Sequence, residues 1–310
     1  MSLTLLFAAG PDDFAAYEAP LQAALSRAGI AGRLVTEAPP ETIDFIIYAP
    51  ASPLRDFSPF TRCRAVLSLW AGVERIVDNP TLTQPLARMV DPALTQGMVE
   101  YVTGHVLRYH LGMDRHITAP AGAWDAVAPP LAADRQVGFL GLGALGQAAA
   151  DALKGLGFPV MGWSSGPKDL PGIACFHGSE GLAHVLGQSE ILVTLLPHTP
   201  QTENLLDAGN LALCRAGQCL INPGRGSLID DAALIAALDA GHLCHATLDV
   251  FRTEPLPAAH RFWHHPRITV TPHVAAATRP ETASTVITEN IARVLRGEAL
   301  LHEVSRARGY

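Results

Sequence analysis

The sequence predicts an α/β protein with two doubly wound parallel-sheet domains, one of them inserted in the other. Short apolar runs alternate with helical patterns almost throughout, which is typical of βαβ units and parallel strands. A segment rich in Pro, Gly and Ala, residues 119–133, follows the first series of units, and a second series begins at Gln136. The chain has 310 residues, enough for two domains of roughly 100–200 residues each.

The first series is predicted to form the smaller, flavodoxin-like domain. A crossover helix is expected at 14–28, and a last amphipathic helix from about 280 to 295 is expected to return to this domain. A long helix is expected at 92–117, after the first series and at the boundary between the two domains. The domain then consists of residues 1–92 and 279–310. Its strands are expected at Leu3–Ala8, Gly32–Thr36, Asp44–Tyr48, Ala65–Leu69 and near Arg88–Val90.

The second series is predicted to form a Rossmann-type domain over residues 93–278. Helices are expected at Ala144–Leu156 and Leu228–Leu238. Strands are expected at Gln136–Leu140, Phe158–Trp163, Ile191–Leu195, Gln218–Asn222, His245–Val250 and Ile268–Thr271. In such open sheets, ligands bind outside the carboxyl ends of the strands, so we expect the functional residues to lie there.

The composition argues against several classes of partner. Apolar residues make up 48% of the chain and charged residues only 16%, as in a packed globular protein. The net charge of -7 provides no overall positive field that would attract nucleic acid or an anionic membrane. We therefore expect no nucleic-acid partner and no membrane partner. An anionic substrate must be bound by local positive charges.

The cysteines and the N-terminus indicate a cytoplasmic protein. The 5 cysteines contain no Cys-x-x-Cys pair, and their odd number favours free thiols in a reducing compartment. The apolar start, Leu3 to Ala9, is too short to span a bilayer and lacks a basic leader. No His, Asp or Glu residues have the spacing of metal ligands, and we expect no metal.

A glycine pattern predicts a dinucleotide site at the start of the second series. Gly141, Gly143 and Gly146 form Gly-x-Gly-x-x-Gly directly after a predicted strand and at the start of a predicted helix. The glycines permit a tight turn, close approach of backbone N–H groups to a pyrophosphate, and close packing of helix against strand. The predicted dinucleotide site also includes Leu142, Ala144 and Leu145.

The end of the next strand favours NADPH over NADH. An acidic residue about 20 residues after the glycines normally binds the ribose 2′-hydroxyl of NAD. This chain instead has Trp163, Ser164, Ser165 and Lys168 there, and hydroxyls with a lysine suit a 2′-phosphate. A solvated turn with an incidental lysine stays an alternative, because the arginine expected beside a 2′-phosphate is missing, and NADH use stays open.

Three polar residues follow three predicted strands of the second series. Arg225 comes after the strand that ends at Asn222, Glu254 after the strand that ends in Val250, and His273 after Thr271. Taken singly, each has an ordinary explanation as a surface or loop residue, and His273 is one of 13 histidines. Because the carboxyl ends of parallel strands meet at one edge, we expect the three to converge on one crevice.

These residues together fit the reduction of a 2-oxo acid. Such a reaction needs a positive group for the carboxylate and the developing oxyanion, a hydride donor, and an acid near neutral pH. Arg225 supplies a planar cation, His273 supplies the acid, and a neighbouring Glu254 stabilises the imidazolium and orients the ring.

In this order and context, the glycine fingerprint, Arg225, Glu254 and His273 resemble the D-isomer-specific 2-hydroxyacid dehydrogenases. The similarity extends over nearly the whole chain, through motifs such as Leu195–Pro200, Leu248–Phe251 and Thr271–Ala276. The branch that reduces glyoxylate and hydroxypyruvate is the most similar. The resemblance therefore implies NAD(P)H-dependent reduction of glyoxylate to glycolate and of hydroxypyruvate to D-glycerate.

The resemblance also implies roles for residues that the patterns alone do not identify. Asp249 is expected to meet the nicotinamide carboxamide, and Ala71 and Gly72 to bind the substrate carboxylate through backbone N–H groups. Trp70 stands where family members more often have Gly, and Arg279 is a further candidate for the substrate carboxylate. The expected cofactor groove further includes Leu196, Pro197, Thr202, Pro223, Gly224, Arg225, His273 and Ala275.

Trp124 resembles a tryptophan that related reductases extend into the active site of the partner subunit. A simple interface anchor is the alternative for Trp124, and both interpretations imply a homodimer.

Two alternatives to the reductase stay open from the sequence. One is a dinucleotide-sensing interaction protein similar to the corepressors that share this fold, since fold alone does not fix function. The other is a family member with another substrate, such as a D-lactate or formate dehydrogenase.

Overall fold

The computed structural model describes residues 2–309, which form two compact units. The discontinuous unit comprises the chain up to Leu94 and from Ala277 onward, and the continuous unit comprises Thr95–Ala276. The boundaries expected from the sequence are residues 92 and 279. Each unit is an α/β domain with a parallel sheet.

The α-helices are α1 (Pro11–Arg27), α2 (Pro92–His110), α3 (Met113–Ile117), α4 (Ala144–Gly155), α5 (Gly178–Gln188), α6 (Ala208–Ala212), α7 (Asp231–Asp239) and α8 (Pro280–Arg296). The strands of the discontinuous unit are β1 (Leu3–Ala8), β2 (Gly32–Val35), β3 (Phe45–Tyr48), β4 (Ala65–Ser68) and β5 (Leu86–Ala87). Those of the continuous unit are β6 (Val137–Leu140), β7 (Val160–Trp163), β8 (Ala174–Phe176), β9 (Ile191–Thr194), β10 (Gln218–Asn222), β11 (Leu243–Leu248) and β12 (Ile268–Val270).

The strand orders confirm the predicted fold class. In the discontinuous unit the order is β2-β1-β3-β4-β5, the flavodoxin-like order. In the continuous unit it is β12-β11-β10-β9-β6-β7-β8, which is the doubly wound order of dinucleotide-binding domains with one further strand. The strand order reverses at β6, directly before the glycine fingerprint, and this reversal creates the crevice in which ligands of such folds bind.

Burial on both faces of the central strands explains why both faces of the continuous unit's sheet carry helices. Phe139 of β6 packs with Val102 of α2 and Leu153 of α4 in one apolar cluster. Its neighbour Leu140 belongs to another cluster, with residues of α5 and α7 such as Leu186. Successive strand residues point to opposite faces, so a strand that is apolar on both faces needs helices on both.

Three elements of the continuous unit are absent from the sequence prediction, and one predicted helix was wrong. The missed elements are β8, α5 and α6. β8 is only three residues long and partly exposed, and α5 contains three glycines, so neither gives a strong apolar period. The helix predicted over 92–117 is two helices, because Gly112 adopts φ +62 and interrupts the helix before α3.

The stability of the continuous unit is expected to fall when the pH drops from about 6.5 toward 4. Burial and the nearby Arg108 lower the pKa of His245 from 6.5 to about 4. The unfolded chain then binds one proton more than the native chain in this window, so acidification favours unfolding. After allowance for its partial exposure, His245 lowers the free energy of unfolding by about 1 kcal/mol when the pH falls from 7 to 5.

Urea unfolding of the wild type and of His245→Gln at the two pH values measures this effect. Glutamine can keep a hydrogen bond to Thr269, which His245 contacts at 2.9 Å, but does not titrate. An equal pH dependence in both proteins would show that His245 does not contribute.

Candidate active site

The three fingerprint positions differ in why they carry glycine. Gly141 has φ +106, and a Cβ there would lie 2.5 Å from the carbonyl oxygen of Leu195. A Cβ on Gly146 would lie 2.1 Å from the carbonyl oxygen of Gly141. At Gly143, which caps α4, a Cβ would meet nothing within 4 Å. Gly141 and Gly146 are therefore required by the turn and its packing, whereas the space above Gly143 is open.

The open space above Gly143 fits a dinucleotide pyrophosphate. It lies at the N-terminus of α4, where backbone N–H groups lack intrahelical acceptors and the helix dipole favours an anion. A glycine without a steric need of its own suits the close approach of a ligand to the backbone. The residues present at the fingerprint thus match a dinucleotide cofactor.

Lys168 lies against the fingerprint loop. Its Nζ donates to the carbonyl oxygen of Leu142 at 2.5 Å, which brings a positive charge beside the glycine turn. Ser164 is buried and donates to the carbonyl oxygen of Gly166 at 2.8 Å, whereas Ser165 is exposed. The indole N–H of Trp163 donates to the carbonyl oxygen of Gly178 at 2.8 Å. The loop after β7 therefore has a fixed shape and presents a lysine but no carboxylate at 163–168.

His273 and Glu254 are in direct contact. The Nδ1 atom of His273 lies 2.7 Å from Oε2 of Glu254, and the side chains are 50% and 34% exposed. The other carboxylate oxygen of Glu254 accepts from the backbone N–H of Phe251 at 2.8 Å. With Nδ1 donating to Glu254, the ring presents Nε2 away from the carboxylate. A half-exposed imidazole with this partner can exchange a proton with a substrate.

The loop that carries His273 is held by Asp249, which is 0% exposed. The carboxylate of Asp249 accepts from the Thr271 hydroxyl at 2.6 Å and from the backbone N–H of Val274 and Ala275, both at 2.9 Å. Its backbone carbonyl accepts from the N–H of His273 at 2.8 Å. Asp249 thus determines the shape of the loop that carries His273, and the nicotinamide contact that the family resemblance implies stays a prediction.

Arg225 stands on a turn built around Asn222. The buried Asn222 side chain accepts from the Thr194 hydroxyl at 2.7 Å and from the N–H of Gly224 at 3.1 Å, and it donates to the carbonyl oxygen of Arg225 at 2.9 Å. Pro223 and Gly224 are both buried in this turn. The amide side chain at the end of β10 therefore fixes the backbone from which the half-buried Arg225 projects.

Arg252 ties the loop of Arg225 to the loop of Glu254. Its guanidinium donates to the backbone carbonyls of Ile229 at 2.7 Å and Ser227 at 3.2 Å, and to the side chain of Asn204. A Cβ on Gly226 would lie 2.1 Å from the carbonyl carbon of Phe251, so the two loops are in close contact. Arg252 and Asn222 are not among the site residues that the sequence predicts. Their position beside strand ends is the signal that could have identified them.

The segment after β9 forms a closed polar turn. The Thr202 hydroxyl, buried, donates to the carbonyl oxygen of Pro197 at 2.6 Å and accepts from the N–H of Thr199 at 2.9 Å. Leu196 is buried, and His198 Nδ1 lies 2.6 Å from the hydroxyl of Ser227. Thr202 therefore stabilises the turn after β9 through its hydroxyl, and its contact with a cofactor stays a prediction.

The remaining substrate candidates belong to the discontinuous unit. Trp70 follows β4 and is 46% exposed, while its backbone bonds to the Ser68 hydroxyl and to the N–H of Met89. Ala71 and Gly72 are half-buried in the same loop. Arg279 is exposed and occupies the N-cap position of α8, where its side chain makes no capping hydrogen bond.

Comparison with known proteins identifies the family. The model of the "D-isomer specific 2-hydroxyacid dehydrogenase, NAD binding domain" matches residues 105–275. The chain belongs to the D-isomer-specific 2-hydroxyacid dehydrogenases. Glyoxylate/hydroxypyruvate reductase A of Yersinia enterocolitica is 38% identical over 255 residues, which cover 80% of the present dehydrogenase and 82% of that relative.

Two solved structures extend the similarity over the whole dehydrogenase. A family member from Xanthobacter autotrophicus, in complex with NADPH and MES, is 40% identical with a TM-score of 0.92, and the match covers 100% of both chains. An NADPH-dependent glyoxylate/hydroxypyruvate reductase from Sinorhizobium meliloti, in complex with NADP and sulfate, is 33% identical with a TM-score of 0.83. That match covers 100% of the dehydrogenase and 99% of the other chain.

The segment between α2 and β6 carries the most exposed apolar side chains of the dehydrogenase. Trp124 is 94% exposed, and Ile117 and Leu131 are each 74% exposed. Leu111, Met113 and Val127 of the same stretch are also exposed. Apolar side chains concentrated in one surface segment are typical of an interface with another protein.

In residues 2–309 no group of three or more His, Cys, Asp or Glu side chains is arranged to hold a metal ion. Within the same range, every helix is too short or too polar to span a bilayer. The 5 cysteines are all free thiols.

Proposed function

We propose that this dehydrogenase reduces small 2-oxo acids with NADPH, converting glyoxylate to glycolate and hydroxypyruvate to D-glycerate. The observation that supports this proposal most directly is the 2.7 Å contact between His273 Nδ1 and Glu254 Oε2. Both residues lie in loops that follow strands of the continuous unit. The names of the relatives from Yersinia and Sinorhizobium support the choice of substrates.

His273 is the proton donor. Its Nδ1–H donates to Glu254, so the imidazolium presents Nε2–H to the carbonyl oxygen of the substrate. When bound, NADPH supplies a hydride to the carbonyl carbon. As negative charge develops on the oxygen, the Nε2 proton moves to it and the neutral ring remains bonded to Glu254. In the reverse direction His273 acts as the base.

Arg225 holds the carboxylate and the reacting carbonyl oxygen of the substrate. Its planar guanidinium can donate to two oxygens at once, and its charge opposes the negative charge that develops during reduction. The Asn222 turn, which bonds to the backbone of Arg225, limits the positions that the side chain can reach. The roles that the family resemblance implies for Trp70, Ala71, Gly72 and Arg279 stay predictions.

NADPH is the proposed cofactor because the fingerprint fits a pyrophosphate and because Lys168 brings a positive charge next to it. The loop has no carboxylate between residues 163 and 168 that would repel a 2′-phosphate. The Xanthobacter and Sinorhizobium relatives, crystallised with NADPH and NADP, support this choice.

We also infer a cytoplasmic homodimer. The exposed apolar stretch 111–131, with Trp124, supports a second copy of the chain as the partner. Five free thiols support a reducing compartment.

Steady-state kinetics with glyoxylate, hydroxypyruvate, pyruvate and phenylpyruvate, each with NADPH and NADH, test the proposed function. We expect the highest kcat/KM for glyoxylate or hydroxypyruvate with NADPH. A higher kcat/KM for pyruvate or phenylpyruvate would replace the proposed substrate, and absence of turnover with all four would reject the proposed reaction.

Lys168→Ala is expected to lower kcat/KM for NADPH ~10-fold and to leave that for NADH nearly unchanged, because a charge-assisted bond to the 2′-phosphate is lost. Lys154→Ala is the matched control, because the Lys154 amine likewise bonds to a backbone carbonyl, that of Pro171 in the loop after β7, at 2.8 Å. Equal losses with both cofactors in Lys168→Ala would indicate that Lys168 only shapes the loop.

A further inference from the structure

The loop that carries His273 directs four hydrogen-bond donors at a single residue. The N–H groups of His273, Val274 and Ala275, three residues in succession, all bond to Asp249 at 2.8–2.9 Å. The hydroxyl of Thr271 bonds to the same carboxylate at 2.6 Å. The position of the loop is therefore determined by how Asp249 and Thr271 are held.

His273 needs this support because its backbone is left-handed. Its φ is +54, a region that side chains with a Cβ rarely adopt. Such a conformation persists only where the surrounding bonds impose it. Loosening these bonds would let the backbone relax and would move the imidazole relative to Glu254.

The directions of the hydrogen bonds extend this network to α2. Both oxygens of Asp249 receive backbone N–H groups, so the carboxylate accepts and the single hydroxyl proton of Thr271 is donated to it. Tyr101, on α2, lies 2.7 Å from the same Thr271 oxygen, and Tyr101 must therefore be the donor of that bond. Burial raises the pKa of Tyr101 well above its usual range, so its hydroxyl keeps the proton it donates.

We propose that Tyr101 is a positioning residue for His273, which it holds through Thr271 and Asp249. Helix α2 is a suitable anchor because Met98, Val102 and Val106 fix it in a buried apolar cluster of the continuous unit. In this proposal Tyr101 acts through Thr271 and Asp249 and takes no direct part in the proton transfer. The proposal rests on the proposed function only in its kinetic consequence, since the arrangement of His273 can be measured without turnover.

Tyr101→Phe removes the hydroxyl and keeps the ring, and Tyr109→Phe is its matched control. Tyr109 is on the same helix, is likewise partly buried, and bonds to a sheet threonine, with its hydroxyl 2.6 Å from that of Thr247. Each variant loses one hydrogen bond from α2 to a threonine hydroxyl, and we expect similar losses of stability in urea unfolding. Only Tyr101 is bonded to the loop of His273.

We expect Tyr101→Phe to lower kcat for glyoxylate ~10-fold while KM for glyoxylate and NADPH stays within ~2-fold, since only the transfer geometry is disturbed. Tyr109→Phe should retain the wild-type kcat within ~2-fold. Equal kcat values in the two variants would overturn the proposal, because a merely structural hydroxyl would affect both alike.

Nitrogen-15 NMR of the His273 ring, recorded without substrate or cofactor, provides the readout that does not depend on activity. We expect the Nδ1 resonance, which reports the bond to Glu254, to shift in Tyr101→Phe and to stay in place in Tyr109→Phe. An unchanged Nδ1 resonance in Tyr101→Phe would contradict the proposal even if the activity falls. An inactive wild type with the expected NMR shifts would reject the proposed function and keep the positioning role.

A second pair of variants covers the case in which Tyr101→Phe does not fold. Thr271→Val removes the donor to Asp249, and Thr271→Ser restores a hydroxyl at that position. We expect Thr271→Val to shift the Nδ1 resonance of His273 and Thr271→Ser to bring it back toward the wild-type value. A valine variant with the wild-type resonance would overturn the proposed link.

Discussion

We expect His273→Ala to lower kcat for glyoxylate reduction by roughly 10²–10⁴-fold, the usual contribution of a general acid. Without the imidazole, the alkoxide that forms on hydride transfer must take its proton from water. Glu254 cannot replace the ring, because its carboxylate already accepts from the Phe251 N–H and lies on the far side of His273 from Nε2. Single-turnover NADPH oxidation measures the effect on the chemical step.

His264→Ala is the control for this variant. His264 is an exposed histidine of the same unit, at the end of a short 3-10 helix and outside the proposed site. We expect it to retain kcat within ~2-fold. Turnover of His273→Ala at the level of this control would remove His273 from the reaction.

We expect Arg225→Ala to raise KM for glyoxylate and to lower kcat/KM by about 10²–10³-fold, since charge-assisted bonds to the substrate carboxylate and to the developing oxyanion are lost together. Arg225→Lys keeps the charge but not the planar pair of donors, and it should recover only part of the loss. Steady-state kinetics with glyoxylate at saturating NADPH separates the effect on KM from that on kcat.

Arg261→Ala serves as the comparison for charge alone. The Arg261 side chain is 70% exposed and lies 3.8 Å from Asp239, so its removal changes the net charge of the unit without touching the site. Unchanged KM and kcat in Arg225→Ala would show that the guanidinium does not hold the substrate.

The sequence was sufficient to predict where the polar residues of the site stand. Apolar runs identify β10, β11 and β12, and Arg225, Glu254 and His273 follow these strands closely enough for the parallel arrangement to group their loops. The contact between His273 and Glu254 was predicted for the same reason. Both predictions depend on the arrangement of the strands and not on the position of any individual side chain.

The supports of the site could not be predicted in the same way. Asn222 and Asp249 lie at strand ends, as many polar residues do. Only in the folded structure is it visible that their side chains bond to the loops of Arg225 and His273. Tyr101 is 170 residues away from its partner Thr271, and no spacing rule connects them. The left-handed backbone of His273 is also unexpected for a residue other than glycine.

Transfer of deuterium tests the central claim most directly. The purified wild type is incubated with hydroxypyruvate and NADPH that carries deuterium at both C4 positions, and the product is analysed by mass spectrometry. We expect D-glycerate with one deuterium at C2, formed in equal amount to the NADP produced. NADPH binding without deuterated glycerate would contradict the account and would favour a protein that senses the dinucleotide instead of using it.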